Sequence, residues 1–220
     1  MRLYQNKLLI AIITLLIVGL FVFLQKDLDR NITGSSIMST KVELLPAVTK
    51  NCSTNLYSGW NLVSFNCLGS YVDRSSALTS IDGSYDMIFT YDASDHADPW
   101  KSYNPSLPSW AVQQLVALDK FSGYWIYMNT PATFQYSGVS GTASITLYKG
   151  WTLTGYPSNN NKSINVSLNG INFTLIESYD NPSDTWLIYV NGSGNNTLAN
   201  FTPFSGYWIN SSSQQTWNVN

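Results

Sequence analysis

The sequence predicts a mainly β fold with short helices: two tandem homologous β-rich modules behind an N-terminal transmembrane helix. Three observations carry that expectation. The hexapeptide Phe121-Ser122-Gly123-Tyr124-Trp125-Ile126 returns 83 residues later as Phe204-Ser205-Gly206-Tyr207-Trp208-Ile209. Each copy closes a stretch that opens on Gly-Trp-x-Leu, at Gly59-Trp60-Asn61-Leu62 and at Gly150-Trp151-Thr152-Leu153. Residues 8–24 are a run of 17 without a charge, about 25 Å long as a helix and so at the lower end of a membrane span.

The landmarks between the opening and closing motifs also correspond. Tyr91-Asp92 matches Tyr179-Asp180, Trp100 and Tyr103 match Trp186 and Tyr189, and Leu115 and Leu118 match Leu198 and Phe201. A period of this length means duplication of a domain-sized unit rather than a solenoid of small repeats.

Taken in order, residues 1–30 read as a membrane anchor. The apolar run ends Phe21-Val22-Phe23-Leu24-Gln25-Lys26, with no small-x-small cleavage site. Arg2 and Lys7 then stay cytoplasmic and residues 31–220 lie outside; a cleaved signal peptide, giving a secreted protein, is the alternative. Residues 31–55, rich in Ser, Thr and Asn, read as a stalk, with an edge strand at 42–48. The first module spans 56–138 and the second 139–220.

In the first module, alternation over residues 60–65 marks a half-buried strand. Residues 73–81 read as a short helix stopped by Gly83. Residues 87–91 and 100–103 read as two strands joined by a polar loop. Pro108-Ser109 starts a helix with Ala111, Leu115 and Leu118 on one face. Strands follow at 124–128 and 133–136. The second module repeats this order, except that Ile164, Val166 and Leu168 alternate and favour extended chain over a first helix. Its last strand is 216–219. The linker at 137–142 is too short to hold the modules apart, so a shared interface is expected.

The text GWNLVSF at 59–65, GSYDMIFTYD at 83–92, WKSY at 100–103, FSGYWIYM at 121–128 and LYKGWTLTGYPS at 147–158 resembles the tandem "GWNLVS…GYWI" repeats of archaeal and bacterial cell-surface and secreted proteins. The resemblance covers roughly residues 56–220. It implies a cell-surface location in an envelope, with a role in adhesion or envelope architecture, and it brings no catalytic residues. The second copy departs from it at Thr154-Gly155, where the repeat has Val-Ser.

Composition narrows the function classes. Charged residues are 11%, against roughly 25% in ordinary domains, while aromatics reach 14%. A net charge of −2 offers no basic patch, which disfavours a nucleic-acid partner. The lone His96 stands with Asp92, Asp95 and Asp98 on one loop, a weak metal-site candidate without EF-hand spacing. A solvated hairpin loop is the competing reading, and neither a metal nor another cofactor is expected. Cys52 and Cys67 are the two cysteines and flank the first Gly-Trp strand. In an oxidising compartment they are expected to form a disulfide. Trp60, Trp125, Trp151 and Trp208 recur in both copies and are expected in the structural core of each module; a ligand surface is the other reading of repeated aromatics.

Asn-x-Ser/Thr sequons begin at Asn31, Asn51, Asn161, Asn165, Asn172, Asn191, Asn195, Asn200 and Asn210, seven of the nine after residue 160. They predict a glycosylated, solvent-facing second module. Neither a nucleophile elbow nor a phosphate-cradling loop is present. The expectation is therefore a membrane-anchored, glycosylated cell-surface structural or adhesion protein without catalytic activity, held by residues 8–24 and contacting envelope proteins or glycans. A carbohydrate-binding module using exposed aromatics and a filament subunit are the alternatives. Clustering of aromatics outside the repeat, such as Trp110 or Tyr136, on one face would favour the binding module.

Overall fold

Short runs of β-branched and aromatic residues, broken by Gly, Asn and Ser, fold here into antiparallel strands with one apolar face. The computed structural model describes residues 49–139 and 143–219. The expected anchor at 1–30, most of the stalk with its edge strand at 42–48, Asn31 and linker residues 140–142 lie outside the described residues. Among the described residues no helix is long and apolar enough to cross a membrane.

The protein is mainly β. In its first half, β1 (Lys50–Leu56) pairs with β8 (Ala132–Gly138). A four-stranded sheet has the order β2 (Gly59–Val63), β7 (Tyr124–Met128), β4 (Tyr85–Tyr91), β5 (Trp100–Tyr103), and β3 (Val72–Asp73) pairs with β6 (Ala117–Leu118). In the second half, β9 (Ala143–Leu147) pairs with β16 (Gln215–Val219). The matching four-stranded sheet runs β10 (Gly150–Thr154), β15 (Tyr207–Ser211), β12 (Phe173–Asp180), β13 (Thr185–Val190), and β11 (Lys162–Ser163) pairs with β14 (Asn200–Phe201). The pairing scheme thus occurs twice. Even the irregularity recurs, between Tyr85 and Met87 in β4 and between Phe173 and Leu175 in β12. Gly59 and Gly150 open the two Gly-Trp strands with φ of +87° and +91°, a conformation that explains why glycine stands there.

Four sequence expectations are corrected. Residues 50–55, assigned to the stalk, belong to strand β1, Lys50–Leu56. The helix expected from Pro108 does not form; only Ala117–Leu118 is regular, as a short strand. Instead the Gln113 side chain accepts from Asn104 N and donates to Asn104 O (3.1 and 3.0 Å), and Leu115 N donates to Ser102 O. These bonds hold the segment as a loop against β5. The first helix is shorter than expected: α1 (Arg74–Ala77), capped by the Asp73 carboxylate accepting from Ser75 N, gives way to a 3₁₀ turn at Thr79–Ile81. In the second half, α2 (Ile164–Ser167) replaces the expected extended chain. Ile164 and Leu168 are buried while Val166 is 63% exposed, so the informative spacing was i, i+4 and not the alternation.

Two apolar cores follow the two halves, and each is completed by the other. The first gathers Phe65, Ile81, Ile88, Leu118, Tyr124, Ile126 and Phe134, with Phe204 from the second half packed against it. The second gathers Tyr156, Ile164, Ile176, Phe201, Tyr207, Ile209 and Trp217, with Phe121 from the first half packed against it. The repeated hexapeptide therefore delivers its Phe to the opposite core.

Backbone bridges fix the exchange. Ser64 N donates to Phe204 O (2.8 Å) and Gly206 N to Leu62 O (3.2 Å); in return Gly155 N donates to Phe121 O (2.7 Å) and Gly123 N to Leu153 O (3.5 Å). Val63 bridges Ser205, and Ser122 bridges Thr154. The pair is nearly symmetric but not identical: Phe204 adopts φ +67°, a left-handed strain of roughly 1–2 kcal/mol for a residue with a Cβ. Its ring packing and its bonded carbonyl hold it there.

This approach requires glycine. A Cβ on Gly123 would lie 2.8 Å from Leu153 Cδ1 and 2.9 Å from Thr154 O, and one on Gly206 would lie 2.9 Å from both Leu62 Cδ1 and Val63 O. Gly123→Ala and Gly206→Ala should each cost about 1–3 kcal/mol by overpacking. Gly194→Ala, whose Cβ meets nothing within 4 Å, should stay within about 0.5 kcal/mol of the parent. Urea midpoints of the three variants check this; a neutral Gly206→Ala would contradict the close approach.

Candidate functional site

The alternation of β7 decides where the repeated aromatics point. Tyr124, Ile126 and Met128 are buried, so Trp125 and Tyr127 stand on the opposite face. In β15, Tyr207, Ile209 and Ser211 are buried and Trp208 faces outward. The core aromatics of the Tyr-Trp-Ile motif are thus its tyrosines. Their hydroxyls accept from Asp119 N (2.8 Å) and Thr202 N (2.7 Å), the partner that a buried phenol needs.

Trp60, Trp125, Trp151 and Trp208 are consequently not core residues, which corrects the expectation. Trp60 is 39% exposed, the other three are half-buried, and none belongs to either core. They lie on the outer faces of the two four-stranded sheets, joined there by Phe89, Tyr91 and Trp100 from the first half and Glu177, Tyr179 and Trp186 from the second. Strand register sets the neighbours: Trp60 faces Tyr127, Phe89 faces Trp125, Tyr91 faces Trp100, Glu177 faces Trp208 and Tyr179 faces Trp186.

The two outer faces meet and exchange rings. Trp125 lies 5.5 Å from Tyr179 and 5.7 Å from Trp186. In the mirror arrangement Trp208 lies 5.2 Å from Tyr91 and 5.8 Å from Trp100. Most of these pairs are tilted or edge-to-face, the arrangement ring quadrupoles favour, and it leaves ring faces open. One result is a groove of about 550 Å³ lined by Trp60, Phe89, Trp100, Trp125, Tyr179 and Trp186. A second, of about 380 Å³, is lined by Tyr91, Trp151, Glu177, Trp186 and Trp208. The two grooves take six of the eight tryptophans. Trp100 and Trp186, the rims, are 45% and 47% exposed. Contiguous exposed apolar surface of this kind is what interaction sites and ligand grooves present. The Asn181 side chain donates to Trp60 O and Ser58 O, tying the second half to the strand that carries Trp60.

Trp110 and Tyr136 do not join this face. Trp110 is 83% exposed on the loop before β6, and Tyr136 packs half-buried against the first core. The signal that locates the site was the recurrence of Trp and Tyr itself, read with the two-residue period of the strands that carry them.

The acidic loop is occupied by its own bonds. Asp92 accepts from Ser94 N and Oγ (2.9 and 2.6 Å). Asp95 accepts from Ala97 N and Asp98 N and holds Lys101 Nζ at 2.6 Å, which keeps its carboxyl below the usual range. Asp98 accepts from Gln114 Nε2 at 2.9 Å, and His96 is exposed. The Lys101 ammonium sits where a cation among these carboxylates would lie, and no group of three or more potential metal ligands occurs among the described residues. A separate cleft of about 520 Å³ lies between the halves and includes Asp119. Burial pushes the Asp119 carboxyl up, while the Ser122 and Phe121 amides, each at 2.8 Å, oppose the shift.

Cys52 and Cys67 are both buried and free in this structure. They are neighbours: the adjacent Cys67 thiol holds the Cys52 thiol low, and the same contact with burial pushes Cys67 up. Of the sequon asparagines, Asn51, Asn161, Asn165, Asn172, Asn191, Asn195 and Asn200 are exposed. Asn210 is half-buried and pairs with Trp151 across β10 and β15. Compared with family models, with curated proteins and with solved structures, the chain matches none.

Proposed function

We propose that this is a non-catalytic, glycan-binding adhesion protein of the cell surface, made of two tandem homologous modules whose outer sheet faces form one binding floor. The observation that carries the reading is the groove lined by Trp60, Phe89, Trp100, Trp125, Tyr179 and Trp186, which holds no charged side chain. A sugar ring has an apolar C–H face and a polar hydroxyl edge. Open indole and phenol rings stack on the former and leave the latter in water. Carbonyl, amide or phosphate recognition, in contrast, requires convergent donors that this groove lacks. The resemblance of the repeats to those of surface proteins supports an external location. In the same reading, residues 8–24 anchor the chain in the membrane, residues 31–220 lie outside, and the exposed sequons carry glycans.

The test is binding of neutral oligosaccharides to the full chain on a glycan array, followed by calorimetric titration of the best ligand. Trp125→Ala should weaken binding by about 2 kcal/mol, roughly thirtyfold, as for an aromatic anchor, and should leave the chain folded. Retention of full affinity by Trp125→Ala, or no neutral glycan bound, would contradict the reading.

An external location also implies that Cys52 and Cys67 close to a disulfide, surrendering two protons and two electrons to a disulfide oxidant of that compartment. Closing a loop of about 15 residues is worth on the order of 3 kcal/mol. The intact mass of the native, unreduced chain should lie two hydrogens below that of the dithiol. Two alkylatable thiols would overturn this.

A further inference from the structure

We infer that the second groove, lined by Tyr91, Trp151, Glu177, Trp186 and Trp208, is a cage for an alkylated ammonium group such as trimethylammonium. The inference does not rest on glycan binding in the first groove. It rests on a position where an aromatic ring of the first groove is replaced by a carboxylate in the second.

The duplication relates the linings residue by residue. Trp60 corresponds to Trp151, Trp125 to Trp208, Tyr179 to Tyr91 and Trp100 to Trp186, while Trp186 lines both grooves. By the same alignment, two residues before each Tyr-Asp, Phe89 corresponds to Glu177. Strand register confirms the equivalence, since Phe89 faces Trp125 and Glu177 faces Trp208. An aromatic ring beside the central indole in one groove is thus a carboxylate beside the central indole in the other.

Glu177 is half-buried in the ladder between Ile188 and Trp208, and its carboxylate makes no hydrogen bond and no ion pair with any described residue. The two lysines described in the second half, Lys149 and Lys162, are not among the residues that line its groove. A carboxylate partly withdrawn from water without a partner calls for a positive charge. The surrounding rings define which kind. Indole and phenol faces are negative and attract a cation within about 6 Å of the ring, whereas an anion would meet only repulsion. A bare metal ion needs several oxygen ligands, and this groove supplies one carboxyl group. An alkylated ammonium spreads its charge over methyl groups that can lie against rings while the carboxylate neutralises it.

Titration of the full chain with choline, followed by indole fluorescence, tests this. Choline should bind at least about tenfold more tightly than its uncharged isostere 3,3-dimethylbutan-1-ol. Glu177→Gln should remove that preference, and Glu177→Phe, which installs the residue of the first groove, should do the same. Phe89→Glu should create a second choline site, doubling the stoichiometry. A peptide bearing trimethyllysine, titrated in parallel with phosphocholine, separates a protein source of the cation from a lipid or polymer headgroup. Equal binding of choline and the isostere, undiminished choline binding by both Glu177 variants, or no binding of any of the cations would overturn the proposal.

Discussion

The structure depends on a reciprocal backbone contact. Each Phe-Ser-Gly turn lies against the end of the Gly-Trp strand of the other half, so closely that a Cβ at the glycine would fall within 2.9 Å of a carbonyl oxygen. Ser64, Gly155 and Gly206 amides are satisfied only across this contact, and an unsatisfied buried amide is costly. Two phenylalanines cross with the backbone and finish the opposite cores. The hexapeptide is repeated because each half must be both donor and recipient in the same geometry.

That contact also builds the aromatic floor. By docking the two sheets through their Tyr-Trp-Ile strands, it brings Trp125 against Tyr179 and Trp186, and Trp208 against Tyr91 and Trp100. Each groove lining draws residues from both halves. The two grooves carry corresponding linings, with Phe89 beside Trp125 in one and Glu177 beside Trp208 in the other.

The strands were readable because alternation over 124–128 and the β-rich 100–103 are local signals. The site was half readable. Recurrence of Trp60, Trp125, Trp151 and Trp208 marked the residues, but repetition alone does not distinguish a core from a surface. The period of two, anchored on Tyr124 and Ile126 as buried neighbours, does make the distinction. The exchange between halves was not readable, because nothing local in Phe121 or Phe204 says which core it enters. The loop before β6 failed for a related reason. Its helical pattern of Ala111, Leu115 and Leu118 competes with Gln113 bonding to Asn104, a contact that exists only once β5 is in place.

If the halves complete each other, their shared amides should open only when the whole unit unfolds. Native-state hydrogen exchange at Ser64, Gly155 and Gly206 measures this most directly. The account predicts protection at these three amides equal to that of Ile126 and Ile209 in the central strands. Fast exchange at the three, with Ile126 and Ile209 still protected, would show two halves that merely touch and would contradict it.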